Sequence, residues 1–268
     1  MIDVIKQQFN EEMSLNEKLN VTREFLQILC LKVMSDKGMF SHLAFLGGTS
    51  LRILFNLRRF SEDLDFSLTQ KKNFKIDKIY DELLKSLRLN GLTIEARPKS
   101  TGAVHSMMIK FPGLLKELAL SPLASQKLSI KWEVDTHPPS GWNTLTTIVN
   151  KHFIFSLVHY DLPSLFAGKL HACFYRSYTK GRDWYDFVWY LSKKVKPNLI
   201  LLNNAIEQTQ KKTLNLSEQN FKDYLLENIK KVDFTAVKKD VERFLEDKSE
   251  LTLFEPKVLA DTIKLTYE

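Results

Sequence analysis

The chain has 268 residues, 44% of them hydrophobic and 26% charged, proportions of a globular protein with room for one large core or two smaller ones. Its formal net charge of +7 is compatible with a phosphate-bearing partner and specifies none. The longest apolar runs are too short to span a bilayer, the first residues carry acids rather than a signal-peptide stretch, and Cys30 and Cys173 have no partners for a zinc site, so the expectation is a cytoplasmic chain with reduced thiols and no membrane contact.

Apolar positions at helical spacing (Leu15, Leu19, Phe25, Ile28, Leu29 and Val33) predict a helix over 15–36. A buried strand over 42–46 breaks at Gly47-Gly48, and a helix follows with Thr49 or Ser50 near its cap. Residues 63–68, Asp-Leu-Asp-Phe-Ser-Leu, alternate as a strand does, and a helix over about 75–89 comes next. Further strands are expected at 92–98, 105–111, 126–136 and 152–159. Beyond Asp161-Leu162-Pro163 the pattern becomes helical, with segments at 163–176, 182–194, 198–210, 217–230, 234–246 and 256–267. Mixed α/β followed by all-helical sequence predicts two adjoining domains, 1–160 and 161–268, and an α+β protein.

Aspartate is a poor strand former, so Asp63 and Asp65 on one strand require a reason. Strand alternation turns both to one face while Leu64 and Phe66 turn to the core. A divalent cation resolves their repulsion most simply, and oxygen ligands without nearby His or Cys favour Mg²⁺ or Mn²⁺. Gly47 and Gly48 admit close approach of an anion, and the helix after them aims free N–H groups at it. A phosphate cradle of Gly47, Gly48, Thr49 and Ser50 beside a metal-holding pair suits chemistry on a nucleoside triphosphate. Glu133 and Asp135 repeat the alternating design around Val134; a carboxylate from this strand completes the metal set and accepts a proton, or the strand is an exposed edge with Lys131 as charge partner.

The run Gly47-Gly48-Thr49-Ser50 followed by Ser61-x-Asp63-x-Asp65-Phe66 resembles the signature of the DNA polymerase β-type nucleotidyltransferases. With residues 130–139 (IKWEVDTHPP), 162–172 (LPSLFAGKLHA) and 180–191 (KGRDWYDFVWYL), the longer resemblance is to the AbiEii/AbiGii group of toxin nucleotidyltransferases from bacterial abortive-infection and toxin–antitoxin systems. The resemblance implies a polymerase β-like mixed sheet with flanking helices followed by a helical domain. It also implies an NTP bound at the first motif and a metal at Asp63, Asp65 and Glu133. A lysine and an aspartate of the helical half are required in such toxins, which here correspond to Lys169 and to Asp183 or Asp186. Lys169 is then the contact for the triphosphate, Arg182 offers a second cation, and the helical domain brings Lys169 and one of these aspartates to the cleft.

The leading expectation is therefore NTP-dependent nucleotidyl transfer to RNA, with tRNA foremost, releasing pyrophosphate, by a toxin held in check by a cognate antitoxin. Lysine pairs at 211–212, 230–231 and 238–239 fit an RNA acceptor, and solvated helix faces explain them equally well. The alternatives are transfer to a protein or small-molecule hydroxyl, and a nucleotide- or RNA-binding regulator without catalysis. Trp184, Phe187, Val188, Tyr190 and Leu191 read as core, His171 as packed, and His137 as a turn-capping residue.

Overall fold

The computed structural model describes residues 1–123, 125–245 and 247–267. The chain divides into two compact units with interleaved segments: Met1–Leu54, Phe60–Pro138 and Leu145–His159 in the first, Phe55–Arg59, Pro139–Thr144 and Tyr160–Glu268 in the second.

The first unit starts with a short helix α1 (Ile2–Lys6) and a long one, α2 (Leu15–Asp36). A capping box opens α2: the Glu17 N–H donates to Ser14 Oγ and the Ser14 N–H donates to Glu17 Oε2 at 2.7 Å. The chain continues through β1 (Leu43–Leu46), α3 (Gly47–Phe55), β2 (Asp63–Leu68) and α4 (Ile76–Leu89). It then runs through β3 (Glu95–Thr101), β4 (Val104–Phe111), α5 (Leu114–Glu117), β5 (Leu128–Asp135), β6 (Thr144–Asn150) and β7 (Ile154–Tyr160).

The seven strands form one mixed sheet in the order β3-β4-β5-β2-β1-β7-β6. β2 lies parallel to β5 and antiparallel to β1, and β1 is parallel to β7. In β5 the alternation is complete: Leu128, Ile130, Trp132 and Val134 are buried, and Ser129, Lys131, Glu133 and Asp135 lie on the other face. The core fills the first of these faces, with Phe66 and Trp132 at 5.2 Å between ring centroids and α2 contributing Phe25, Leu29 and Met34. Trp132 donates its Nε1–H to Met34 Sδ at 3.4 Å, which satisfies the one polar atom of a fully buried ring.

In the first unit two boundaries depart most from the sequence expectation. Helix α3 starts at Gly47, so Thr49 and Ser50 lie in its first turn rather than at a cap, and both are buried. The strand expected at 92–98 lies at Glu95–Thr101, because its register comes from the β3–β4 hairpin, closed by Gly102-Ala103 with Gly102 at φ +58°. Leu92 and Ile94 are buried before the strand begins. Pro98, which has no N–H to give, is tolerated because β3 is an edge strand.

The second unit carries α6 (Leu162–Tyr175), α7 (Gly181–Ser192), α8 (Leu199–Gln210), α9 (Glu218–Ile229), α10 (Phe234–Val241) and α11 (Pro256–Thr266). Asp161 caps α6 by accepting from the Ser164 N–H, and Pro163 sits in the first turn. The helix expected over 234–246 ends at Val241 and tightens into a 3₁₀ turn, Glu242–Phe244; a second, Lys248–Phe254, precedes α11. The core of this unit is aromatic, with Phe166 stacked on Tyr190 at 4.3 Å and Trp184 set edge-on to Phe187 and Phe234. Gly181 opens α7 where it meets α10: a Cβ there would lie 2.3 Å from the Val237 carbonyl oxygen. Among the described residues no helix is long and apolar enough to cross a membrane.

Candidate active site

In the first unit, β2 and β5 place the sequence-predicted acids together. The register sets Asp63 opposite Lys131 and Asp65 opposite Glu133, and opposed residues share a face. Asp135 lies opposite Ser67 and extends the row. Strand geometry places neighbouring Cα atoms of the row about 5 Å apart between strands and about 6.5 Å apart along each strand. Leu64, Phe66, Trp132 and Val134 hold the row in place from the opposite, buried face. A slip of one residue would bury the acids, so packing fixes the register.

Gly47 closes one side of the row. Its φ is +82°, and a Cβ built on it would lie 2.4 Å from Asp65 Oδ2, so no other residue fits without displacing that carboxylate. Asp65 therefore sits against the first residue of α3, where the positive end of the helix dipole offsets its charge. Thr49 donates its hydroxyl to the Asp63 carbonyl oxygen, tying the same turn to β2, and Ser50 Oγ donates to the Gly47 carbonyl oxygen at 2.8 Å. Both hydroxyls thus build the turn, leaving Gly47 and Gly48 as its surface.

Lys131 is the cation paired within the row. Its ammonium pairs with Glu133; burial works against its charge, but the hydrogen bond to Glu133 and the charges of Glu133, Asp63 and Asp65 raise its pKa above the ordinary lysine value. Among the described residues no three His, Cys, Asp or Glu side chains come together as a metal-holding group. Asp63, Asp65 and Glu133 share a face without converging, and the Lys131–Glu133 pair accounts for the place of the third acid. The donor set itself, carboxylate oxygens with no soft ligand in the row, fits a hard divalent cation.

In the second unit, the other sequence-predicted residues form a buried ion network. Lys169 Nζ lies 2.7 Å from Asp183 Oδ1 and 2.8 Å from Asp186 Oδ2. Arg59 grips Asp186 through a two-pronged contact, Nε to Oδ1 and Nη2 to Oδ2, each 2.6 Å. Arg176 Nη1 lies 2.9 Å from Asp183 Oδ2 without the geometry of a hydrogen bond, which leaves that buried oxygen without one. For Lys169, burial opposes the charged form and the two carboxylates outweigh it, so its pKa is raised. For Asp183, burial is outweighed by Lys169 and Arg176, and its pKa is lowered. Arg182 stacks its guanidinium on the Phe244 ring at 4.1 Å.

A family model described as nucleotidyl transferase AbiEii toxin, type IV toxin–antitoxin system, matches residues 29–258. The chain belongs to the AbiEii family. It is a nucleotidyltransferase of the toxin–antitoxin type, which implies an NTP substrate and an antitoxin partner. No curated protein sequence matches this AbiEii-family chain significantly. Among solved structures it is similar to JHP933 from Helicobacter pylori, at 20% identity with a TM-score of 0.55, over 92% of this chain and 91% of that one. It is also similar to a candidate nucleotidyltransferase from H. pylori, at 21% identity with a TM-score of 0.55, over 92% and 94% of the two chains. These likenesses concern the fold, and they agree with an α+β nucleotidyltransferase having a helical C-terminal part.

Two more residues of the AbiEii-family chain stand in these clusters, Lys131 read from sequence only in an alternative and Arg59 not at all. Lys131 was legible only as a charge partner on the same strand face, a place it does take. Arg59 left a signal, a pair of arginines just before Ser61-Glu62-Asp63, but its partner is 127 residues away and only folding discloses it. His137 lies in the turn expected, but the capping group is Asp135, whose Oδ1 accepts from the His137 backbone N–H at 2.8 Å, while the imidazole Nδ1 bonds Thr136 Oγ1 at 3.1 Å. His171 bonds Thr209 through Nε2 at 2.7 Å, with its pKa lowered by burial and then by Arg176.

Proposed function

We propose that this chain transfers a nucleotidyl group from an NTP to a hydroxyl of RNA, with tRNA the first candidate, and that the acid row of β2 and β5 is where the transfer occurs. The observation that carries the reading is the placement of Asp65 opposite Glu133, with Asp63 on the same face and Gly47 against the Asp65 carboxylate. Asp63, Asp65 and Glu133 are the residues to hold Mg²⁺ or Mn²⁺. Such an ion, when bound, offsets charge on the phosphates and on the departing pyrophosphate. Gly47 and Gly48 give the triphosphate a surface without side chains, and Asp135 or Glu133 takes the proton of the attacking hydroxyl. Lys131, whose charge the row already stabilises, is placed to neutralise a phosphate once Glu133 is engaged elsewhere.

Lys169 and Asp183 are the proposed counterparts of the lysine and aspartate that the family requires. Both oxygens of Asp186 are held by Arg59, whereas Asp183 keeps an oxygen without a hydrogen bond. The role of Asp186 is then to position Lys169. Arg182, stacked on Phe244, is proposed as a secondary cation for the nucleotide. A cytoplasmic setting, where NTPs, RNA and an antitoxin are all at hand, completes the reading.

Incubating the protein with labelled NTPs, Mg²⁺ and total RNA tests it. A discrete labelled RNA band that Asp65→Asn abolishes is expected. Label on protein or on a small molecule would transfer the same chemistry to another acceptor, and nucleotide binding without any labelled product would end the enzymatic reading.

A further inference from the structure

The first unit contains a second feature that the acid row does not use. A cavity of about 540 Å³ opens at the carboxyl ends of β2 and β5, where Leu68 and then Thr136 and His137 form its floor. Its walls are strongly basic: Lys71, Lys75 and Lys78 come from the segment between β2 and the first turn of α4, and His105 from β4, with Asp77 the one acid. Phe74 stands among these lysines as a half-buried ring, packed on one side against the core and the His42 ring at 6.0 Å and lining the cavity with the rest. Among the described residues neither Lys71 nor Lys75 forms an ion pair, and both are exposed. Lysines around an aromatic ring are the usual means of holding a single nucleic-acid strand, cations for its phosphates and a ring for its bases. The volume is that of a site for one or two nucleotides.

Its position gives it a purpose. Asp65 and Leu68 are three residues apart on β2, about 10 Å by the rise of a strand. His137 follows two residues after Asp135, the last acid of the row. Leu68 and His105 have the strand parity of Phe66 and Val134, so the cavity opens past the strand ends on the face opposite the acids, and a chain leaving the acids would round the end of β5 at His137 to enter it, a path of a few nucleotides.

We infer that the cavity lined by Lys71, Phe74, Lys75, Lys78 and His137 holds a single-stranded segment of the acceptor RNA a few nucleotides from the reactive hydroxyl. The inference rests on the proposed transfer to RNA and adds where that RNA is gripped. It assigns the sequence Lys71-Lys72-Asn73-Phe74-Lys75 to acceptor binding, with no part in the chemistry.

The test compares the wild-type chain with Lys71→Gln/Lys75→Gln, two exposed substitutions, measuring affinity for a short fluorescent single-stranded RNA across a range of salt concentrations and, separately, affinity for NTP. The double variant is expected to bind the RNA about tenfold more weakly, with the slope of log affinity against log salt reduced by about two, one per lost phosphate contact. NTP affinity should stay within about twofold, since the triphosphate is placed at Gly47 and Gly48. RNA affinity and salt slope equal to the wild type would overturn the inference, as would an NTP affinity that fell as far as the RNA affinity, which would give the cavity to the nucleotide. Failure of the underlying reading looks different: wild-type protein that labels no RNA at all.

Discussion

Gly47 is the residue whose constraint is sharpest. Alanine there would take a φ of +82° and push a methyl group to 2.4 Å from Asp65 Oδ2. Gly47→Ala should cost about 1–3 kcal/mol of stability, read by chemical denaturation, and should lower transfer activity by displacing the carboxylate. Lys169 stands under a different constraint, because it neutralises two buried aspartates at once. Lys169→Met leaves Asp183 to Arg176 and Asp186 to Arg59, and should destabilise the protein by about 3–5 kcal/mol, the cost of breaking a buried ion pair from one side. The same network sets a pH dependence. The folded-state pKa of Asp183 is below its ordinary 3.8, so its contribution is present above that value and lost as pH falls through the depressed one. Lys169 is raised above 10.5, so its contribution is present below that value and lost as pH rises through the elevated one. Denaturant midpoints should therefore be flat for these two groups between about pH 5 and 9 and drop outside that range.

At the scale of the element, β2 and β5 show what a sequence discloses. Their alternation is plain in the sequence because each apolar residue is buried and each acid turned away, so Asp63 with Asp65, and Glu133 with Asp135, are each assigned to one face of their own strand. What alternation cannot give is pairing. The opposition of Asp65 to Glu133 depends on two strands more than 60 residues apart lying parallel, a long-range choice made by the core. The strand β6 went unread because Thr144–Asn150 has only Val149 buried, so it lacks the apolar period that identifies a strand. The shift of β3 has the opposite cause: Leu92 and Ile94 carry the apolar period, but the hairpin closed at Gly102 chose the pairing. In β5 the central ring bears most weight. Trp132→Ala should cost about 3–5 kcal/mol, measured by denaturation, because the ring is fully buried between Phe66, Tyr80 and Met34.

At the scale of the whole molecule, the family match over residues 29–258 covers both the acid row and the helical network, and it states the activity that composition alone left open. The net charge of +7 suits an RNA acceptor but would suit many partners; only the local clusters separate one function from another. The helical half was legible as helices from period and caps, whereas the interleaving of segments 55–59 and 139–144 into it was not, since no local signal marks a short segment as belonging to a distant unit. Arg59 reaches Asp186 through that interleaving.

The account stands on the acid row being the seat of transfer, and one rate comparison addresses it most directly. Wild type and Asp65→Asn, shown to have equal thermal stability, are assayed for label transfer from NTP to RNA at saturating Mg²⁺. Loss of the carboxylate beside Gly47 should slow transfer by at least about 100-fold, or about 2.7 kcal/mol of barrier. A folded Asp65→Asn protein that transferred label within about twofold of the wild-type rate, well under 1 kcal/mol, would contradict it.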